Sequence, residues 1–334
     1  MKNSLKKFYV FPVGDPNLNI GKNPYILNLI DAIENKNKIV VNKSNFTKFG
    51  IFSVFKYVFL TDVYIFNWLE SLQSKRFGII QSISLPILLL ILKLLGKKIL
   101  VVFHNKYAHD GKSFFSELNI FFSTLLSDKI ITHSNEGKSY LINKLGIFIN
   151  RNKVQVVFHP VYSSELFASD NFITEYDYII WGAMSPYKGI YDFLNFVKYD
   201  EKFKLKKILI CGKFSSEDFY NKVLALNLKN ITIVNEFITD EKLKEFISLS
   251  KTILFVYVSD SVLSSGALTS SLNYSKPIIG PRKGAFKDLE NEKIIACYNS
   301  YDEIDRIKLK FDKNSTLSYL NSNSWDKLIT DFIL

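Results

Sequence analysis

A chain of 334 residues, 47% hydrophobic and 22% charged, has the composition of a folded globular protein and is too long for one ordinary compact core. Two domains are therefore expected. Two cysteines, Cys211 and Cys297, exclude a disulfide framework or a cysteine-rich zinc module and fit a reducing cytoplasm. The net charge of +11 is concentrated in one half: residues 1–164 hold 21 Lys and Arg against 9 Asp and Glu, whereas the remainder holds 22 against 23. Such a half suits anionic lipid, an anionic substrate or nucleic acid, or is simply a well-solvated lysine-rich surface. No nucleic-acid-binding module accompanies the charge.

In chain order, "MKNSLKKFYVFPVG" has no long apolar stretch of the signal-peptide kind and reads as a first strand. Apolar strand-like runs then alternate with helix-length segments: "NKIVV", "DVYIF", "KKILVVF", "DKIITH" and "VQVVFHP" in the first half. The second half repeats the plan with "YDYIIWG", "KKILICG", "ITIVN", "TILFVYV", "KPIIG" and "KIIACY". This is the pattern of α/β domains with parallel sheets covered on both faces. Between the strands, "IIQSISLPILLLILKLL", Ile79 to Leu95, is shorter than the roughly 20 apolar residues a bilayer span takes. Its basic flanks, Lys75 and Arg76 before and Lys97 and Lys98 after, suit a helix lying in a membrane interface; the plainer reading is a helix packed on the sheet.

The polar stretch from Ser163 to Asp177 separates the halves, which places a first doubly wound domain at 1–165 and a second at 166–316. Residues 317–334 form a last helix that can pack back across the boundary. Ligands of such sheets bind at the carboxyl ends of the strands, so chemistry is expected in the cleft between the domains.

Several residues stand at those ends. Gly182 closes "YDYIIWG", and Lys188 follows in "AMSPYKG" before a helix, where amides and an ammonium can face an anion; an exposed lysine in an ordinary turn is the alternative. Gly212 and Lys213 repeat the arrangement in "ICGK", ahead of a helix capped by Ser215 or Ser216. Phe237 and Ile238 form an apolar tip fit to hold a nucleobase, before a helix capped by Thr239 or Asp240. In "DSVLSSGALTSS", Ser264, Ser265 and Gly266 open a helix with no acid nearby. Small residues there let a diphosphate approach bare amides, although plain N-capping explains a serine equally well.

All four histidines, His104, His109, His133 and His159, fall at or beyond predicted strand ends without the spacing of a metal site, so no metal is expected. His109 and Asp110, in a polar loop, are candidates to take a proton from a hydroxyl, with Glu70 in "FNWLES" as a rival base. Structural hydrogen bonding is the better account of His133 and His159.

Taken in order, "WGAMSPYKG", "ICGK", "NEFITDEKL" and "VYVSDSVLSSGALTSSLNYSKPIIGPRKG" resemble the C-terminal domain of GT-B glycosyltransferases near family 4. "NPYILNLIDAI", "DVYIFNWLES" and "VVFHNKYAHDGKS" resemble the acceptor-domain motifs of bacterial polysaccharide enzymes. The resemblance implies two Rossmann-like domains facing a cleft, a nucleotide-sugar donor (UDP- or GDP-linked) in the second domain, and metal-independent transfer without a cofactor. It further implies a lipid-linked or surface-polysaccharide acceptor and a cytoplasmic protein in peripheral contact with the anionic inner face of the plasma membrane. Two departures stand out. Where retaining members carry paired glutamates this chain has Val262 and Ser270, and the usual arginine after Gly182 is Ala183, leaving Lys188 as the matching phosphate ligand. The departures point to an inverting subset. A sugar-nucleotide epimerase of the same fold and a non-catalytic glycan- or partner-binding protein are the alternatives.

Overall fold

A computed structural model of the chain describes residues 5–14, 24–44, 49–108, 111–161, 165–167, 174–308 and 310–334. The chain divides into two compact units. The first comprises Met1–Tyr162, Ser261–Ser264 and Asn323–Leu334, and the second Ser163–Asp260 and Ser265–Ser322.

The first unit is built on a six-stranded sheet of β1 (Lys7–Phe11), β2 (Ile39–Val40), β3 (Val63–Asn67), β4 (Lys98–Phe103), β5 (Lys129–Thr132) and β6 (Val154–Val156). The order is β2-β1-β3-β4-β5-β6 and every pairing is parallel. Successive residues of each strand enter opposite layers: Tyr9, Phe11, Tyr64, Phe66, Val101 and Phe103 join one apolar cluster, while Phe8, Val10, Ile65, Leu100 and Val102 join the other. This alternation, with both faces buried, explains why the strands read as continuous apolar runs.

Helices α1 (Pro24–Asn35), α2 (Gly78–Leu94), α3 (Phe114–Leu126) and α4 (Asn135–Leu145) connect the strands. On α2, Leu85, Leu88, Leu89 and Leu92 are buried. Two polar side chains of α2 face inward too: Gln81 accepts from the Ile51 amide at 2.9 Å, and Ser82 accepts from Asn119 on α3 at 3.0 Å.

The second unit carries β7 (Tyr176–Trp181), β8 (Ile208–Cys211), β9 (Ile231–Val234), β10 (Ser250–Leu254), β11 (Ile278–Pro281) and β12 (Ala296–Tyr298). Its parallel order, β12-β11-β10-β7-β8-β9, is the Rossmann order, with the reversal of winding between β7 and β10. Its helices are α5 (Ile190–Tyr199), α6 (Glu217–Leu224), α7 (Asp240–Ser248), α8 (Gly266–Ser271), α9 (Gly284–Asn291) and α10 (Lys313–Ser322). Ser216 and Thr239 are the caps of α6 and α7.

Three sequence expectations differ in detail. The "NKIVV" run pairs over Ile39–Val40 only; beyond it the Asn42 side chain takes over the ladder, accepting from the Val10 amide at 3.0 Å and donating to the Val10 carbonyl at 2.7 Å. The single terminal helix expected over 317–334 is interrupted: α10 ends at Ser322, and a turn beginning at Trp325 runs into a π-helical turn, Leu328–Ile333. Leu328, Ile329 and Ile333 are apolar at the spacing of one face and bury against Phe8 and Val10 of the first unit, which separates them from α10. Ser264 stands outside α8, because Ser265 already occupies the capping position.

Asn42 is fully buried, so Asn42→Ala leaves both polar groups of Val10 without their partner. We expect a loss of about 2–3 kcal/mol in the urea unfolding of the first unit. An unchanged midpoint contradicts the ladder role of Asn42.

Candidate functional site

In a sheet of Rossmann order, the loops leaving the strands on either side of the reversal diverge and open a crevice. Here those strands are β7 and β10. The ladder continues past the end of β7, with the Gly182 amide donating to Cys211 at 3.1 Å and the Gly212 amide to Val234 at 3.0 Å. Both glycines have positive φ, 107° and 143°. A Cβ on Gly212 would collide with the Gly182 carbonyl oxygen, so the two chains touch backbone to backbone. Beyond them the loops are zipped together: the Met184 amide donates to the Lys213 carbonyl at 2.8 Å, and the Ser215 amide to the Met184 carbonyl at 2.8 Å.

Lys188 ends a short 3-10 turn, Pro186–Lys188, and its side chain returns toward β7: its Nζ lies 3.0 Å from where a Cβ of Gly182 would stand. The residue is only 6% exposed. Its ammonium sits over the Tyr257 ring, 5.5 Å from the centroid. Among the described residues it forms no ion pair, and burial holds its pKa below the ordinary lysine value, opposed only by the Tyr187 phenol.

Tyr257, just past β10, also bonds through its hydroxyl to Ser265 Oγ at 3.0 Å, and burial pushes that phenol up to about 12 against this bond. Ser265 caps α8 by accepting from the Leu268 amide at 3.3 Å. Its hydroxyl is thus engaged, whereas the Gly266 and Ala267 amides are first-turn donors with no intrahelical carbonyl to bond. Ala267 Cβ is 3.8 Å from the same point beside Gly182. Trp181 fixes α8 from below, its indole donating to Ser271 at 2.9 Å. The structure therefore brings Gly182, Lys188, Gly212, Ser265 and Gly266 together at the reversal of the second sheet.

The remaining donor-site candidates are more exposed than Lys188. Lys213 is exposed, and Phe237, beyond the edge strand β9, projects into solvent at 85% exposure, with Ile238 half-buried beside it. Ser264 belongs to the first unit, within the segment Ser261–Ser264. That segment is stitched to the loop after β4: Asn105 bridges Val262, and the Lys106 amide donates to the Ser261 carbonyl at 2.9 Å.

In the first unit, Glu70 stands in the first turn of the 3-10 segment Leu69–Ser74 that follows β3. It is 2% exposed and accepts from Asn105 Nδ2 at 2.9 Å. Burial pushes its carboxyl up to about 7, against the lowering effect of that hydrogen bond. His109 and Asp110 lie outside the described residues. The other three histidines line up after β4, β5 and β6 in one buried cluster around the Tyr25 ring, with His104 stacked on Trp68 at 4.5 Å. His133 uses both nitrogens, toward the Val157 carbonyl at 2.7 Å and the Tyr25 hydroxyl at 3.0 Å. Desolvation pulls His133 down to about 3, His159 to about 4 and His104 well below the usual imidazole range, so all three are neutral. Among the described residues no group of three or more His, Cys, Asp or Glu side chains has the arrangement of a metal site.

Tyr257, Asn105 and Trp181 were not singled out from the sequence. Each is an aromatic or amide at the end of an apolar run, and only the sheet order shows what it faces.

No protein-family model and no curated protein matches the sequence. Solved structures do match in shape. A glycosyltransferase from Rickettsia africae superimposes with a TM-score of 0.63 at 14% identity, covering 98% of this chain and 97% of that one. The lipopolysaccharide outer core galactosyltransferase WaaB in its apo form gives 0.62 at 15%, covering 98% of each chain. HepE of Anabaena, in complex with UDP and glucose, gives 0.60 at 11%, covering 98% and 90%. Two parallel six-stranded sheets with this likeness establish the fold: two Rossmann-like domains of the GT-B type, the fold of these glycosyltransferases.

Proposed function

We propose that this chain is a glycosyltransferase that takes its sugar from a nucleotide diphosphate donor, UDP-linked by preference, and passes it to a hydroxyl of a lipid-linked or surface-polysaccharide acceptor. The observation that carries this reading is the buried ammonium of Lys188, without an ion pair among the described residues, at the winding reversal of a Rossmann sheet. A desolvated cation costs several kcal/mol unless an anion joins it. The first-turn amides of Gly266 and Ala267 add donors for the same anion. The binding of UDP by HepE, which shares the fold, supports a uridine nucleotide.

In the reaction, the acceptor oxygen forms a bond to the anomeric carbon, the bond from that carbon to the β-phosphate oxygen breaks, and the electron pair leaves with UDP. Lys188 and the α8 amides stabilise the charge gathering on the departing diphosphate, without a metal or cofactor. The acceptor proton goes to a base in the first unit. Glu70 is our choice, since its carboxyl is held near neutrality and its partner Asn105 bridges Val262, the position of a glutamate in retaining relatives. His109 and Asp110 remain the alternatives. A valine and a serine in place of the paired glutamates favour inversion of the anomeric centre.

Lys188→Met should weaken UDP binding about 100-fold by calorimetry while leaving the apo protein as stable as the parent or more so, because it removes a buried charge and keeps the volume. UDP affinity equal to that of the parent sinks the donor assignment. The pH response has a definite sign. Because the Lys188 pKa is lowered, UDP affinity falls as pH rises through that lowered value, and binding above it draws a proton onto the neutral amine. On the acid side, kcat/KM should rise with pH through about 7 as Glu70 ionises, and Glu70→Gln should abolish the rise together with most of the turnover. A Glu70→Gln enzyme with the parent pH profile shifts the base to His109 or Asp110.

A further inference from the structure

A helix covering one side of a sheet normally turns a charged face to water. Helix α2 does not. Its inner face is buried, yet Ile80, Ile83, Ile87, Leu90 and Leu94, spaced three and four apart, form an outward stripe in which each residue is at least half exposed. Ile79 and Phe77 extend it at the start, with exposures of 55% each. No acidic residue occurs anywhere on α2, and its first charged residue is Lys93, in the last turn, tied to Asp128 at 2.7 Å. A continuous aliphatic stripe three or more turns long is the kind of exposed apolar patch that marks an interaction surface.

Charge frames the stripe at both ends. Lys75 and Arg76 are exposed just before α2, the Arg76 guanidinium lying over the Phe77 ring at 5.0 Å, and Lys97 and Lys98 follow it. Lys97 reaches back to the Thr61 carbonyl at 2.7 Å, whereas Lys98 is exposed. Seventeen residues span about 25 Å, too short to cross a bilayer along the normal but long enough to lie flat in its interface. Among the described residues no helix is long and apolar enough to cross a membrane.

We propose that α2 docks the first unit on an anionic lipid surface, with the Ile80–Ile83–Ile87–Leu90–Leu94 stripe in the acyl boundary and Lys75, Arg76 and Lys98 on the lipid phosphates. The choice of a bilayer over a second protein rests on charge complementarity. The stripe is purely aliphatic, cations bracket it, and the basic excess of the whole chain falls in residues 1–164. The inference stands independently of sugar transfer, since a protein that bound nucleotide without turnover would dock in the same way.

The test is co-sedimentation with phosphatidylcholine vesicles carrying about 30% phosphatidylglycerol, against pure phosphatidylcholine, with UDP binding as the control of fold. The parent should partition onto the anionic vesicles and be released by salt. Ile83→Gln/Ile87→Gln/Leu90→Gln, all at exposed positions, should lower partitioning at least about tenfold with UDP affinity intact. Lys75→Gln/Arg76→Gln should lower it by about thirtyfold on the anionic vesicles alone, since each of the two cations near the surface contributes about 1 kcal/mol. Failure of the parent to bind either vesicle, or full binding by the triple variant, overturns the proposal. So does light scattering that shows a parent dimer dissolved by the triple variant without any vesicle binding, which would make the stripe a contact between two copies. A parent that partitions onto the anionic vesicles but does not bind UDP leaves the surface standing and removes the donor site.

Discussion

The second unit is organised around a desolvated ammonium. Lys188 is drawn back over the end of β7 into a place where water is largely excluded, and the Tyr257 face is the compensation the fold itself supplies. A cation over an aromatic ring recovers about 0.5–2 kcal/mol, less than the loss of hydration, and the lowered pKa records the remainder. The support is coupled. The Tyr257 hydroxyl holds Ser265, Ser265 caps α8, and Trp181 anchors α8 to the strand that leads into Gly182. The glycines at 182 and 212 complete it, because only residues without a Cβ let the two strand ends touch and leave room for the Lys188 ammonium. On the proposed reading, an anion bound at this point would meet a cation already stripped of water and amides already aimed, leaving little reorganisation as charge moved onto it.

Burial acts on the first unit by the same rule, disfavouring whichever form of a side chain is charged. The same loss of water that keeps the cluster of His104, His133 and His159 neutral raises the Glu70 carboxyl toward neutrality. The histidines that stand at the strand ends therefore serve as uncharged packing around Tyr25, bonded through ring nitrogens. The Glu70 carboxyl, by contrast, is brought to about 7. Nothing in residue type alone distinguishes these outcomes; the depth of each side chain decides them.

The fold was legible because its signals are local. Continuous apolar runs of four to six residues, each followed by a glycine or polar loop and a helix, require a covered parallel sheet, and both sheets are of that kind. The grouping of Gly182, Lys188, Gly212, Ser265 and Gly266 could be listed from the same punctuation, but not its centre. Tyr257 reads as one more core aromatic in "TILFVYV", and only the order β10-β7-β8 shows that it closes over Lys188. Ser265 shows the limit from the other side: the hydroxyl offered to a ligand by the sequence is occupied as a cap. Likewise the Asn105 contact that holds Glu70 joins residues 35 apart, beyond the reach of any spacing rule.

The most direct measurement is the position of the diphosphate in a crystal of the protein with UDP. The account predicts a phosphate oxygen paired with Lys188 Nζ at about 2.8 Å, the Gly266 or Ala267 amide donating to the same group. A nucleotide seated elsewhere, with Lys188 still folded against Tyr257 and no oxygen near it, would contradict the account.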